Sequence, residues 1–137
     1  MALAAAAGAA ACAHADDSAS TTGTGNAGGA DTYSHICQGC HMAQGQGAVG
    51  AGHYPKLAGD PALVSWQYVA LTVLSGKNGM PAFGLPADQV GFGAVRLSDL
   101  QVADVVNYVR SHFGNKYEGK TSAEQVAALP HPGERAP

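Results

Sequence analysis

Charge is scarce in this chain of 137 residues. Only 12% are Asp, Glu, Lys or Arg, and 7 basic residues stand against 10 acidic ones. The net charge of -3 leaves no basic surplus to neutralise a phosphate backbone, which argues against nucleic-acid binding. Large side chains are sparse as well. Aromatics make up 7% with a single Trp, and much of the 46% hydrophobic fraction is alanine. A small domain with so thin a core needs reinforcement from something other than protein. Cysteine, at three residues, is too rare for a disulfide framework. No apolar run reaches the roughly 20 residues that a membrane-spanning helix requires. The length suits one domain rather than two.

The chain is further thinned at its ends. Residues 1–15, MALAAAAGAAACAHA, form an uncharged, alanine-rich run that stops at Ala13-His14-Ala15 before Asp16-Asp17. This is the pattern of a secretory leader without its basic start, and it implies export to the periplasm. A lipid anchor on Cys12 is disfavoured, because Ala9 stands where a lipobox has a large aliphatic residue. Residues 16–30, DDSASTTGTGNAGGA, hold no large apolar side chain and read as a flexible linker. The expected folded domain is 31–114, followed by a C-terminal extension over 115–137. No internal repeat is present.

One motif dominates the chemistry. Cys37-Gln38-Gly39-Cys40-His41 is C-x-x-C-H, the attachment pattern of c-type haem. Two thiols three positions apart reach the vinyl groups on one porphyrin edge, and the adjacent imidazole is held beneath the iron. A zinc site would need further ligands at metal-binding spacing, and none follows. A thioredoxin-like pair would need strands around it. A plain disulfide would leave His41 without a purpose. The iron of such a haem is usually closed by Met or His. Met1 belongs to the leader and Met42 is tied to the proximal side, which leaves Met80 within Gly79-Met80-Pro81. There, Gly79 is expected to permit close backbone approach and Pro81 to stiffen the loop. His35 and His53 remain alternatives to Met80.

The order C-x-x-C-H, a glycine-rich loop, Pro55-x-Leu57-Ala58-Gly59, a helix, Gly79-Met80-Pro81 and a final amphipathic helix resembles the class I monohaem cytochromes c over residues 31–113. The resemblance implies an all-α fold, three main helices and loops wrapped around one haem c held through Cys37 and Cys40. It implies His41 and Met80 as the iron ligands. It places Pro55, Leu57 and Pro81 against the cofactor, with the Pro55 carbonyl bonded to the proximal imidazole.

Local signals agree with three helices. Asp31 is positioned to cap a helix running into Cys37. Asp60-Pro61 is a start signal for a second, with Leu63, Trp66, Val69, Leu71, Val73 and Leu74 recurring along it and Gly76 as its stop. Ser98-Asp99-Leu100-Gln101 is a capping-box pattern opening a third. Its apolar stripe is Val102, Val105, Val106, Val109 and Phe113, and Gly114 closes it. Arg110, His112 and Lys116 are expected to complement the end of that helix. Lys56 and Lys77 flank the haem-contacting segments as candidates for a propionate or partner contact.

Two protein ligands on iron leave no open coordination position, and no other constellation of base and nucleophile appears. The expected role is one-electron transfer, not catalysis. The tail resembles the ends of dehydrogenase-associated cytochromes. Its stretch Thr121–Leu129 reads as an exposed, capped helix with an apolar patch for docking, and Leu85–Arg96 could shape the same face. The expected partner is therefore a periplasmic dehydrogenase, as its cytochrome subunit or acceptor. The alternatives are a freely diffusible carrier feeding a terminal oxidase, or a haem-based sensor with a displaceable Met80.

Overall fold

The computed structural model describes residues 28–134. The first helical stretch is built from three pieces that run on without a break: α1 (Gly29–Thr32), a π-helical turn (Tyr33–Cys37) and α2 (Gln38–His41). Asp31, expected as the cap, instead lies in the first turn, because the helix already begins at Gly29. Packing explains the earlier start. A side chain at Gly29 would collide with the Asp104 carbonyl and with Tyr108, so a glycine is needed where this helix crosses the last long one. Gly29 and Ala30 therefore belong to the fold, not to the linker expected over 16–30. The expected leader over residues 1–15, and Cys12 with it, lies outside the described residues.

The helix ends at Met42, whose φ of 66° breaks the spiral. The glycine-rich loop that follows contains a small antiparallel ribbon, β1 (Ala48–Val49) with β2 (His53–Tyr54). Ala48 pairs with Tyr54 and Val49 with His53. This ribbon was not anticipated. Its strands are two residues each, below any length at which alternation is readable.

The second helical region also departs from the single helix expected after Asp60. Asp60 does cap a helix, accepting a bond from the Ala62 N–H at 2.9 Å, but it is a 3-10 turn over Pro61–Val64. At Ser65 the backbone becomes extended, and the Ser65 hydroxyl caps a new helix, α3 (Trp66–Ser75), by accepting from the Tyr68 N–H. Gly76 then stops α3 at a φ of 71°.

The long final helix α4 (Asp99–Ser111) opens with the expected capping box between Ser98 and Gln101. Its buried stripe of Val102, Val105, Val106 and Val109 packs with Tyr33, Leu63, Val73 and Leu74 in one core. Phe113, at φ 58°, takes the left-handed turn ahead of Gly114 and packs its ring on Tyr33 at 4.8 Å.

The tail does not stand away as a docking arm. Its short helix α5 (Ala123–Ala127) has a second capping box, Ser122 with Gln125, and lies against α4. Val126 is wholly buried in the common core. Asn107 on α4 holds Thr121 through both backbone groups, at 2.8 Å each. Farther along, His131 reaches Asp99 at the start of α4. The apolar patch read from Thr121–Leu129 is thus spent on the chain's own fold. A five-residue helix cannot stay ordered in water without such packing.

Candidate functional site

The motif residues sit where the π-helical turn runs into α2, with Cys37 closing the turn and Cys40 and His41 on α2. Cys37 and Cys40 stand three positions apart on continuous helix, with no disulfide between them, so they share a face. Cys37 is half-buried against the core and Cys40 is exposed.

His41 is buried, and its Nδ1 lies 2.9 Å from the Pro55 carbonyl. A carbonyl only accepts, so Nδ1 carries the proton and Nε2 is left with its lone pair. The loop between these residues is tied at several points. The Gly47 N–H donates to the His41 carbonyl at 3.1 Å, and the Gly45 N–H to the Met42 carbonyl at 3.1 Å. The Gly45 carbonyl accepts from Leu57 at 2.7 Å and Ala58 at 2.9 Å. Gly47, at a φ of 66°, passes so close to the Tyr54 carbonyl and the Lys56 nitrogen that any side chain would clash. The predicted contact between Pro55 and His41 is thus present, and Leu57 is anchored beside it.

Two residues that sequence reasoning missed hold this loop from behind. Tyr33, buried, donates its hydroxyl to the Met42 carbonyl at 2.7 Å. Burial, then the neighbouring Cys37 and Tyr108, push its pKa up to about 12 against a lowering bond from Gly45. Asn115, also buried, donates to the carbonyls of Leu57 at 3.0 Å and Val109 at 2.8 Å and accepts from the Gly59 N–H at 2.8 Å. The signals for them were faint: an aromatic four positions before Cys37, and an asparagine directly after Gly114.

On the other side, Met80 is presented by a tight turn from α3. Lys77 and Met80 exchange backbone bonds of 3.2 and 2.9 Å, and Asn78 takes the positive φ of 54°. The glycine that permits close approach is Gly76, where a Cβ would strike Met80 and Pro81 backbone. Gly79, expected in that role, has open space around it. Met80 packs against the core, Pro81 is exposed, and the strand of chain beyond is pinned by Phe83 N–H to Val73 and Gly84 N–H to Leu74.

The other candidates lie apart. His35 bonds its own helix at the Asp31 carbonyl, and His53 is exposed in β2. His112 bonds the Tyr108 carbonyl, as its helix-end position suggested. Lys77 donates to the Tyr68 hydroxyl at 2.8 Å, and Lys56 is exposed. Arg110 is not a helix-end charge in solvent: it is buried and bonded to four carbonyls of other segments. Among the described residues no group of three His, Cys, Asp or Glu could hold a bare metal ion. Two thiols on one helical face, an imidazole with its tautomer fixed, and a methionine on a pinned turn instead fit a haem attached through C-x-x-C-H.

A family model described as Cytochrome c matches residues 27–113. The gluconate 2-dehydrogenase cytochrome c subunit of Pantoea cypripedii is 39% identical over 108 residues, 74% of this chain and 23% of that protein. The cytochrome c subunit of a quinone alcohol dehydrogenase from Gluconacetobacter polyoxogenes is 36% identical over 109 residues, 77% of this chain and 23% of that protein. Cytochrome c-552 of Thermus thermophilus is 32% identical over 113 residues, 75% of this chain and 84% of that protein. The chain thus spans 23% of the length of these two dehydrogenase subunits. On the family match and the site that fits it, this chain belongs to the cytochrome c family, electron-transfer proteins that bear covalently bound haem c.

Proposed function

We propose that this chain is an exported one-electron carrier whose haem is held by Cys37 and Cys40 and whose iron is ligated by His41 and Met80. When bound, the haem supplies an iron that cycles between ferric and ferrous. The observation that carries the ligand reading is the bond from His41 Nδ1 to the Pro55 carbonyl, which leaves the Nε2 lone pair free to ligate. The turn from Lys77 to Met80 supports the other half, because a pinned thioether keeps its geometry in both oxidation states. Residues 1–15 serve as the leader in this reading, the haem domain runs from the helix start at Gly29 to 114, and the extension that follows packs back on it through α5. Among the described residues no helix is long and apolar enough to cross a membrane.

The electron donor in this reading is a periplasmic dehydrogenase, which the chain serves as cytochrome subunit or acceptor. Relatives named as cytochrome subunits of quinone alcohol, gluconate and fructose dehydrogenases support it. The likeness to cytochrome c-552, 32% identical over 113 residues, supports a second reading, a freely diffusible carrier that feeds a terminal oxidase. Purification of the tagged chain from its native periplasm separates them. A stoichiometric dehydrogenase that reduces the haem supports the first reading, and a monomer turned over by oxidase supports the second. Reduced protein without a haem c spectrum, or haem extracted by acid acetone, would sink both.

A further inference from the structure

Arg110 is the least ordinary charge in the molecule. It sits on α4 directly after the core residue Val109 and is 4% exposed. Its Nε donates to the Leu63 carbonyl at 3.0 Å and its Nη1 to the Gly119 carbonyl at 2.7 Å. Its Nη2 donates to Val64 at 3.3 Å and Glu118 at 2.9 Å. Every partner is a neutral backbone oxygen. Among the described residues the one ion pair joins His131 to Asp99, so no carboxylate is paired directly with the guanidinium. Arg cannot give up its proton to escape burial.

We propose that Arg110 sets the reduction potential of the haem, holding it above the value the rest of this acidic chain would give. The inference rests on the haem reading above. Four carbonyl dipoles solvate the guanidinium locally, yet they leave its full unit of net charge, and a net charge acts over longer range than a dipole. A domain of about 100 residues has a radius of gyration of about 13 Å. Across such a distance, at an effective dielectric constant of about 20, a buried unit charge changes an electron-binding equilibrium about tenfold. The sign is fixed: ferric iron carries one more positive charge than ferrous, so a buried cation favours the reduced form. Arg110 also ties the turn before α3 to the tail, so charge and clamp must be separated experimentally.

The experiment compares holoprotein with Arg110→Gln, Arg110→Met and Arg110→Lys by redox titration, each first shown to keep the wild-type haem spectrum. Gln and Met remove the charge, and each should lower the equilibrium constant for reduction about tenfold, equivalent to about 59 mV for one electron. Lys keeps the charge but cannot reach four carbonyls. It should keep the wild-type potential while losing thermal stability. A potential unchanged in Gln or Met overturns the proposal, and so does a Lys variant that falls as far as they do. If neither neutral variant folds, the Lys variant decides alone: a fall overturns, and a wild-type potential with a lower melting temperature supports. A wild-type chain that binds no haem would defeat the functional reading instead.

Discussion

His41 and Pro55 are joined by a 2.9 Å bond between the imidazole Nδ1 and a backbone carbonyl, and everything between them is arranged to hold that carbonyl still. The nearest constraint is Gly47, which leaves no room for a side chain against Tyr54 and Lys56. Gly47→Ala should push the Pro55 segment away and weaken the bond. A proximal imidazole that donates less strongly is less anionic and stabilises ferric iron less. The reduction potential should therefore rise, and the iron–histidine stretch of a five-coordinate ferrous form should drop in resonance Raman. An unchanged stretch would show that Pro55 does not tune His41.

Met80→Ala tests the distal side. Loss of the thioether should lower the potential, since Met favours the reduced iron. It should also give a high-spin spectrum that becomes low-spin on adding imidazole. A variant that stays low-spin without added ligand would assign the sixth position to another side chain, with His35 and His53 the first to replace.

Gly76 has two duties, ending α3 at a φ of 71° and admitting the Met80 and Pro81 backbone. With ψ at 168°, this is a backbone conformation that only glycine adopts readily, and a side chain there costs about 1–3 kcal/mol for the backbone alone. Gly76→Ala should therefore unfold at lower denaturant and lose the Met80 contact first, seen as a spectral change before global unfolding. Gly79→Ala, in open space, should do far less.

Val126 is wholly buried under α5, so Val126→Ala should cost about 2 kcal/mol in chemical denaturation. A loss near zero would mean that α5 lies off the domain in solution and is available for docking after all.

The far end of the tail should respond to pH. His131 places Nε2 2.8 Å from Asp99 and Nδ1 2.8 Å from the Leu129 carbonyl. Both nitrogens face acceptors, which favours the doubly protonated ring. Burial opposes this, but the bonds to Asp99 and Leu129 and the charges of Asp99 and Glu134 prevail, and its pKa lies above the ordinary 6.5. A raised pKa in the folded state gives stability that is complete below about 6.5 and lost as pH rises through the folded value. Amide exchange at residues 129–134 should accelerate across that window, by less than about 1 kcal/mol of local stability. His131→Gln should flatten the profile.

Much of the site was legible because its chemistry is written in short, rigid spacings. C-x-x-C-H, the capping box at Ser98 and the stop at Gly76 each depend on neighbours in sequence, and each appears where its residues stand. What was not legible depends on partners far along the chain. Arg110 is found at the expected end of α4, yet its role is decided by carbonyls at Leu63, Val64, Glu118 and Gly119. The break at Ser65 was hidden for the same reason: the apolar spacing runs through it, and only the folded chain shows two carbonyls turned aside to Arg110. The apolar residues after Thr121 look like a docking patch until α4 is beside them. Gly79 and Gly76 are equally permissive in sequence, and only the packing tells which one is crowded.

The π-helical turn over Tyr33–Cys37 sets the angular phase between two jobs on one helix. In an uninterrupted α-helix, residues four apart stack on the same side. A π turn accommodates one extra residue, shifting everything after it by roughly 100°. Tyr33, at the start of the turn, faces inward to Phe113 and the Met42 carbonyl, while Cys40 and His41, beyond it, are rotated from where an unbroken α-helix would put them. The turn acts as a rotary offset, so a single insertion or deletion before Cys37 would swing the two thiols and His41 together, out of line with Pro55.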